Sequence, residues 1–200
     1  MLTPCSLGGL APLSCCAGKL IFSNELAGFF KREGKVLHLL HNRPHPGFPK
    51  LRSTEEAADG RNFIVMDNLG CDLEDYVLAS GRLSEPEARL LFRQMLSAVA
   101  HCHANQIVLR DVKLGKIFFT DETCTSVVFP DLDGAEVVTR QRPLLRSQDG
   151  RDLQCAISTM YVCPEVLSCQ PYEGQAADMW SLGVVLYRML TGVYPFQDTT

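Results

Sequence analysis

The chain has 200 residues, of which 46% are hydrophobic and 21% charged, and it carries a formal net charge of -4 at pH 7. This composition is typical of a globular chain that buries a core, and it excludes extended disorder. The acidic balance provides no bulk attraction to nucleic acid or to anionic membranes, so we expect neither as a partner.

The cysteines and the apolar stretches indicate in which cellular compartment we expect the protein. Nine scattered cysteines, an odd number in a chain of this length, favour a reducing compartment, cytoplasmic or nuclear, over a disulfide scaffold. The N-terminal stretch is interrupted by Pro4 and Pro12, which argues against a secretory signal. Met179 to Leu190 is far shorter than the roughly 20 apolar residues that span a bilayer, so we predict a buried helix there.

The first elements in chain order are strands and helices in alternation. The predicted elements are a strand over residues 15–22, a helix from Phe29 to Leu40, a turn at His45-Pro46-Gly47, an exposed acidic loop from Arg52 to Gly60, a strand from Asn62 to Met66 and a short helix from Leu73 to Leu78.

A long helix follows. Ser84-Glu85-Pro86-Glu87 is a strong helix start, because serine caps the first turn, proline suits it and acidic groups favour the positive end of the helix dipole. The apolar positions after it fall on one broad face, and the helix should end near His103 to Asn105.

The second half begins with paired apolar runs. Ile117 to Phe119 and Ser126 to Phe129 predict a hairpin at the floor of a cleft, with Asp131 just beyond its second strand. Gly134 to Met160 shows little periodicity and is predicted to be a long loop. Met179 to Thr191 is predicted to be a helix.

The run Leu109-Arg110-Asp111-Val112-Lys113-Leu114-Gly115-Lys116 resembles the catalytic loop of protein kinases, H-R-D-x-x-x-x-N. In that loop the Asp accepts the substrate hydroxyl proton and the Asn holds a metal ion. Asp111 stands in place, whereas Leu109 replaces the His and Lys116 replaces the Asn. Lysine offers three donors and no acceptor, so Lys116 cannot ligate a cation. The sequence therefore predicts the loss of one metal site.

From about Glu33 to Asp198 the order of motifs resembles the protein-kinase fold and, within it, the Tribbles pseudokinases and their close serine/threonine-kinase-like relatives. The resemblance is carried by the L-R-D-x-K-L-x-K loop, by the altered metal motif Asp131-Leu132-Asp133, and by two later runs. These runs are Ala177-Asp178-Met179-Trp180-Ser181-Leu182-Gly183 and Tyr194-Pro195-Phe196-Gln197-Asp198. It implies an α+β, two-lobe fold that is incomplete at both ends. The small lobe would cover residues 1–66, with 1–14 poorly ordered, and the helical large lobe 67–200.

The resemblance also implies the parts of a nucleotide site. Glu33 takes the place of the regulatory-helix acid, and Lys19 is the candidate for the strand lysine that it pairs with. Met66 would lie at the back of an adenine pocket, with backbone groups of Asp67 and Leu69 facing the base. Solvated surface charges and a plain buried strand explain the same residues without a ligand.

Asp131-Leu132-Asp133 stands where kinases have D-F-G. Asp131, which the Tribbles proteins replace, is retained here and is the candidate magnesium ligand, while Asp133 replaces the glycine and adds a charge. Lys113 could neutralise a transferred phosphoryl group. The chain offers only Gly8-Gly9 for a glycine-rich loop, so no working phosphate cradle is expected. ATP binding is allowed by these residues, with magnesium weak or absent.

The resemblance extends to the activation segment, which would run from Asp131 to Glu165, and to the residues that hold the catalytic loop. Cys163-Pro164-Glu165 resembles the closing A-P-E motif. Arg110 commonly pairs in this family with a phosphorylated residue of the segment, and Asp178 with the backbone of the catalytic loop. The candidate phosphorylated residues are Ser147, Ser158 and Thr159.

Three functions remain open on these residues. By resemblance, the protein is a scaffold that binds signalling kinases, substrates and a ubiquitin ligase and regulates signalling or protein turnover, with weak or absent phosphoryl transfer. Alternatively it is an active ATP-dependent serine/threonine kinase that uses Asp111 as base, Lys113 on the phosphate and one cation on Asp131. The third is a remnant without a stable fold, since large-lobe helices would be missing after Thr200.

Overall fold

The computed structural model describes residues 16–21, 27–56, 62–139, 144–145 and 159–196. The predictions made for residues 1–14, which include Gly8-Gly9, and for Ser147 and Ser158 lie outside these residues. The division of the chain into lobes at residues 66 and 67 stays a prediction.

A three-stranded antiparallel sheet occupies the N-terminal part. Its strands are β1 (Cys16–Ile21), β2 (Leu51–Glu56) and β3 (Asn62–Asp67), in the order β1-β3-β2. The first and third were predicted. The exposed loop predicted from Arg52 was wrong over residues 52–56, because these residues pair with β3 as an edge strand, with a register shift between Leu51 and Ser53. The sequence of β2, Leu-Arg-Ser-Thr-Glu-Glu, carries no apolar alternation, so the pattern gives no sign of a strand.

The observed helices agree with the predicted ones more closely than the strands do. They are α1 (Ala27–Asn42), α2 (Leu73–Ser80), α3 (Glu85–Ala104), α4 (Pro164–Leu167) and α5 (Gly174–Thr191), with 3-10 turns at Leu114–Lys116 and Thr159–Tyr161. The predicted start of α3 is confirmed, since Ser84 N donates to Glu87 Oε2 at 3.1 Å and the side chain of Ser84 caps the first turn. Hydrogen bonds from Ser84 lower the pKa of Glu87.

Helix α5 begins five residues before the predicted Met179, at Gly174. The carboxylate of Glu173 accepts from Ala176 N at 3.1 Å and caps the helix, a start that the apolar pattern does not reveal. Gly174 packs against Val108, and a Cβ there would lie 2.8 Å from Val108 Cγ1. Within the described part of the chain, no helix combines the length and the apolar character needed to cross a membrane.

Short strand pairs frame the loops between the helices. Strand β4 (Ile107–Val108) pairs with β7 (Glu136–Val137), and β5 (Phe118–Phe119) pairs with β6 (Val127–Val128), which confirms the predicted hairpin. Strand β8 (Leu144–Leu145) pairs with β9 (Tyr172–Glu173). The long loop predicted from Gly134 therefore contains two short strands, whose two-residue length leaves no readable periodicity.

One apolar core connects α1, α3, α5 and the short strands between them. Its most deeply buried side chains include Leu73, Leu91, Met95, Ile107, Leu114, Ile117, Phe119, Leu132, Leu182 and Met189. Leu114, Ile117 and Leu132 belong to the segments around the predicted catalytic loop and metal motif. The core therefore fixes the backbone on which the candidate site is built.

Replacing Gly192 with alanine should destabilise the fold. Gly192 ends α5 with a φ of 76°, and its N–H donates to Arg188 O at 2.9 Å. A Cβ there would overlap the carbonyl oxygen of Gly81, so we expect a loss of about 1–3 kcal/mol in the free energy of unfolding, measured by urea titration. Gly183→Ala is the matched control, because Gly183 is exposed within the same helix and has open space around it. It should leave stability unchanged or raise it by up to about 1 kcal/mol.

Candidate functional site

A buried carboxylate holds the start of the predicted catalytic loop. Asp178, only 1% exposed, accepts from Leu109 N at 2.9 Å and from Arg110 N at 2.7 Å. His103 Nε2 lies 2.8 Å from the same carboxylate. Arg110 has a φ of 65°, a left-handed conformation that costs a non-glycine residue energy and needs support from its surroundings. The role predicted for Asp178 by resemblance is confirmed.

The side chain of Arg110 pairs with a carboxylate of the following segment. Its Nη1 lies 2.7 Å from Glu136 Oε2, on strand β7. A phosphorylated residue was the predicted partner, and among the candidates Thr159 is described and exposed. Glu136 was not predicted as the partner of Arg110. The sequence does contain a signal for this contact. Glu136 is an acidic residue three positions after Asp133, and Arg110 was expected to contact the segment that begins there.

The ammonium group of Lys116 lies among three carboxylates. Its Nζ is 2.7 Å from Asp111 Oδ2, 3.2 Å from Asp131 Oδ2 and 2.5 Å from Asp133 Oδ1. The Lys116 side chain is only 14% exposed. Burial disfavours the charged ammonium, but attraction to Asp131, Asp111 and Asp133 outweighs it and raises the pKa of Lys116 above its ordinary value. Lys116 is therefore a charged, internal cation of the site.

Asp111 also receives a second ammonium group. Lys113 Nζ lies 2.9 Å from Asp111 Oδ2, the same oxygen that contacts Lys116. A general base needs an oxygen within hydrogen-bond reach of the hydroxyl whose proton it takes. Here Oδ2 of Asp111 already faces two lysine donors. The structure thus brings together the predicted residues Asp111, Lys113, Lys116 and Asp131, and it adds Asp133 as a direct partner of Lys116.

The backbone around Asp131-Leu132-Asp133 turns tightly. Asp133 N donates to Asp131 Oδ1 at 3.3 Å, and Ala135 N donates to Leu132 O at 3.0 Å. Gly134 lies next in the chain, where a Cβ would be 3.2 Å from Asp111 Cβ and 3.2 Å from Leu109 O. A glycine therefore lies at this close approach, one residue after Asp133, and its role there was not predicted.

Glu33 connects α1 to the same segment. It is 2% exposed, and its Oε1 accepts from Leu132 N at 3.3 Å. The predicted partner Lys19 belongs to β1, where its backbone is opposite Ile64. Its side chain lies outside the described part, so the predicted pairing of Lys19 with Glu33 stays a prediction. The described contact makes Glu33 an anchor for the backbone of the metal motif.

The residues predicted to contact adenine lie at the end of β3. Met66 is buried, and Leu69 is half-buried in the loop that follows. The side chain of Asp67 forms an ion pair with Arg52 of the edge strand, with 2.6 Å between Arg52 Nη2 and Asp67 Oδ1. The buried position of Met66 suits the wall of a pocket. Contact of any of these residues with a nucleotide stays a prediction.

The carboxylates do not fit the pair of divalent cations that the fold implies together with ATP. The cation ligand predicted on Asp131 faces an ammonium group at 3.2 Å. At a separation of about 4 Å and an effective dielectric near 20, a unit charge beside a dication costs roughly 8 kcal/mol before relaxation. Among the residues the structure describes, no group of three or more histidine, cysteine, aspartate or glutamate side chains is arranged to hold a metal ion.

The chain matches one known protein family and several curated relatives. The protein kinase domain family matches residues 22–200. Tribbles homolog 3 of Bos taurus is 46% identical over 129 residues, 64% of this chain and 34% of that protein. Tribbles homolog 2 of Canis lupus familiaris is 44% identical over 137 residues, 68% of this chain and 38% of that protein.

Tribbles homolog 1 of Mus musculus is 42% identical over 142 residues, 70% of this chain and 36% of that protein. The chain thus spans little more than a third of the length of these relatives. The α+β kinase fold expected from the sequence is confirmed, and so is the resemblance to the Tribbles proteins. The chain belongs to the protein kinase domain family and is Tribbles-like within it.

Proposed function

We propose that this chain acts by binding protein partners and regulates signalling or protein turnover, with weak or absent phosphoryl transfer. The observation that carries the proposal is the Lys116 ammonium group among Asp111, Asp131 and Asp133, at 2.5–3.2 Å. Phosphoryl transfer in kinases depends on metal ions that bridge the phosphates, and in this cluster a lysine ammonium group lies among the carboxylates instead. Likeness to the Tribbles proteins supports the same function.

The partners follow from that likeness. We propose that they are signalling kinases, substrates and a ubiquitin ligase, met in the cytoplasm or the nucleus. A binding role needs a rigid kinase-like surface. Asp178 and the pair of Arg110 with Glu136 hold the catalytic loop, and Glu33 holds the backbone at Leu132. ATP binding near Met66, Asp67 and Leu69 would then serve stability.

Thermal unfolding with ATP, with and without magnesium, tests the metal side of this proposal. We expect little or no magnesium-dependent shift, because Lys116 repels a dication from Asp131. A shift of several degrees that depends on magnesium would contradict the proposal. Asp131→Asn is the control, since a shift that survives this change arises at another site. The same scans show whether unfolding is cooperative, and a cooperative transition would exclude a remnant without a stable fold.

The alternative function is an active protein serine/threonine kinase. It is favoured because the chain retains Asp111, Lys113 and Asp131 and the structure brings them together. Lys113 Nζ lies 2.9 Å from Asp111 Oδ2, and Asp111 and Asp131 both contact Lys116 Nζ. Transfer of radiolabelled phosphate from ATP by purified protein, abolished by Asp111→Ala, would establish this function and overturn the first. Absence of transfer, from protein shown to be folded, supports the binding role.

A further inference from the structure

A groove of about 520 Å³ lies away from the lysine and aspartate cluster. One wall is the first half of α3, and the other is formed by the turn His45-Pro46-Gly47 together with the start of β6. The residues that matter for the argument are His45, Pro46, Pro86, Arg89, Leu90 and Arg93. None of them takes part in the site described above.

The groove combines positive charge with exposed apolar surface. Both of its lining residues that are charged at any pH near neutral, Arg89 and Arg93, are positive, although the chain as a whole carries a net charge of -4. Leu90, which lies between the two arginines in the sequence, is 50% exposed. Arginine is among the residues enriched at protein interfaces. Charge complementarity therefore points to an acidic occupant.

The two arginines are available to a ligand. Arg89 Nη2 lies 2.5 Å from Glu85 Oε1, but both side chains are about seven-tenths exposed, and such surface pairs contribute little energy. Arg93 is exposed and makes no ion pair within the part of the chain that the structure describes. A carboxylate that approaches the groove would therefore displace only one weak contact.

The walls of the groove are held by hydrogen bonds. Gln94 Nε2 donates to Thr125 O at 2.9 Å, and its Oε1 accepts from Val127 N at 3.1 Å, which fixes the hairpin to α3. On the other side, Phe129 N donates to Gly47 O at 2.9 Å, and His45 Nε2 lies 3.0 Å from Ser97 Oγ. A preformed surface spares a ligand the cost of ordering it.

We propose that this groove docks an extended, acidic segment of a protein partner. Residues four apart on a helix rise about 6 Å, which matches the roughly 6.6 Å between alternate residues of an extended strand. Two carboxylates separated by one residue can therefore meet Arg89 and Arg93 together. The residue between them is apolar and covers Pro46 and the start of β6. The proposal rests on the partner-binding function proposed above and names a chemistry for one partner.

Fluorescence anisotropy with a labelled peptide tests the proposal directly. The probe is fluorescein-labelled Gly-Ser-Glu-Leu-Glu-Ser-Gly, titrated with the full chain at low and at high salt. We expect saturable binding that weakens with salt and that falls about tenfold or more in Arg93→Glu and in Arg89→Glu. The matched control is Arg82→Glu, which makes the same charge change at an exposed arginine outside the groove and should leave the affinity unchanged.

Each other outcome would overturn the proposal. These outcomes are no binding by the wild-type chain, equal losses in Arg82→Glu and Arg93→Glu, or equal binding of the probe with lysine in place of glutamate. A concentration-dependent dimer that Arg93→Glu dissociates would assign the groove to a second copy of the chain. Failure here leaves the magnesium and phosphate-transfer results untouched, so it is distinguishable from failure of the proposed function.

Discussion

Replacing Lys116 with methionine should lower the free energy of unfolding by about 3 kcal/mol or more, the cost of removing one partner from a buried ion pair. Lys116 is the common partner of Asp111, Asp131 and Asp133, and its side chain is 14% exposed. Methionine keeps an unbranched apolar side chain but removes the ammonium group, which leaves these carboxylates facing one another. Urea titration of the wild-type and variant chains measures the difference.

Two controls separate this effect from the loss of any lysine. Lys50→Met removes an exposed lysine and should change the free energy of unfolding by less than about 0.5 kcal/mol. Asp133→Asn removes only one partner of Lys116, and the Asp133 side chain is 39% exposed. It should therefore cost less than Lys116→Met. Equal stability of Lys116→Met and Lys50→Met would contradict the role of Lys116 as the internal cation.

The contribution of Lys116 should also be constant around neutral pH. Attraction to the carboxylates raises the pKa of Lys116 in the folded state above its unfolded value. A group of this kind contributes fully below its unfolded pKa, about 10.4 for lysine, and loses its contribution only as the pH rises through the folded pKa. The difference between wild type and Lys116→Met should therefore stay level from about pH 6 to about pH 9. A contribution that vanished within this range would exclude the ammonium group as its source.

How much of this site could be predicted depends on the distance along the chain between the interacting groups. The catalytic loop with Lys116 in place of asparagine is a local pattern, and the start of α3 at Ser84 is another. Both were predicted because capping and motif spacing are local properties. The contact of Lys116 with Asp133 crosses the whole β5–β6 hairpin, so only the three-dimensional structure reveals it.

The elements that were missed share a physical cause. Strand β2 is held by backbone pairing with β3, and its acidic side chains show no apolar alternation. The start of α5 depends on a glutamate cap at Glu173 that lies outside the apolar run. Glu136 reaches Arg110 because β7 pairs with β4, a contact between distant segments. Backbone pairing and long-range ion pairs leave weak signals in a single sequence.

The second large effect concerns Asp178. Asp178→Ala should lower the free energy of unfolding by about 3–5 kcal/mol. The carboxylate is buried, and it accepts from the backbone N–H groups of Leu109 and Arg110, at 2.9 and 2.7 Å. Alanine would leave both donors buried without an acceptor, and each such donor costs about 1–3 kcal/mol. It would also remove the support of the left-handed backbone at Arg110.

Asp178→Asn is the informative companion variant. Leu109 N and Arg110 N donate to different oxygens of Asp178. An amide keeps an acceptor at only one of these two positions, and its NH₂ group would face the other donor. We therefore expect a loss intermediate between wild type and alanine, in the same urea titration. Glu122→Ala, which removes an exposed carboxylate from the β5–β6 turn, should leave stability within about 0.5 kcal/mol. If Asp178→Ala were as stable as Glu122→Ala, the catalytic loop would not depend on this carboxylate, and the rigid kinase-like surface proposed for partner binding would lose its main support.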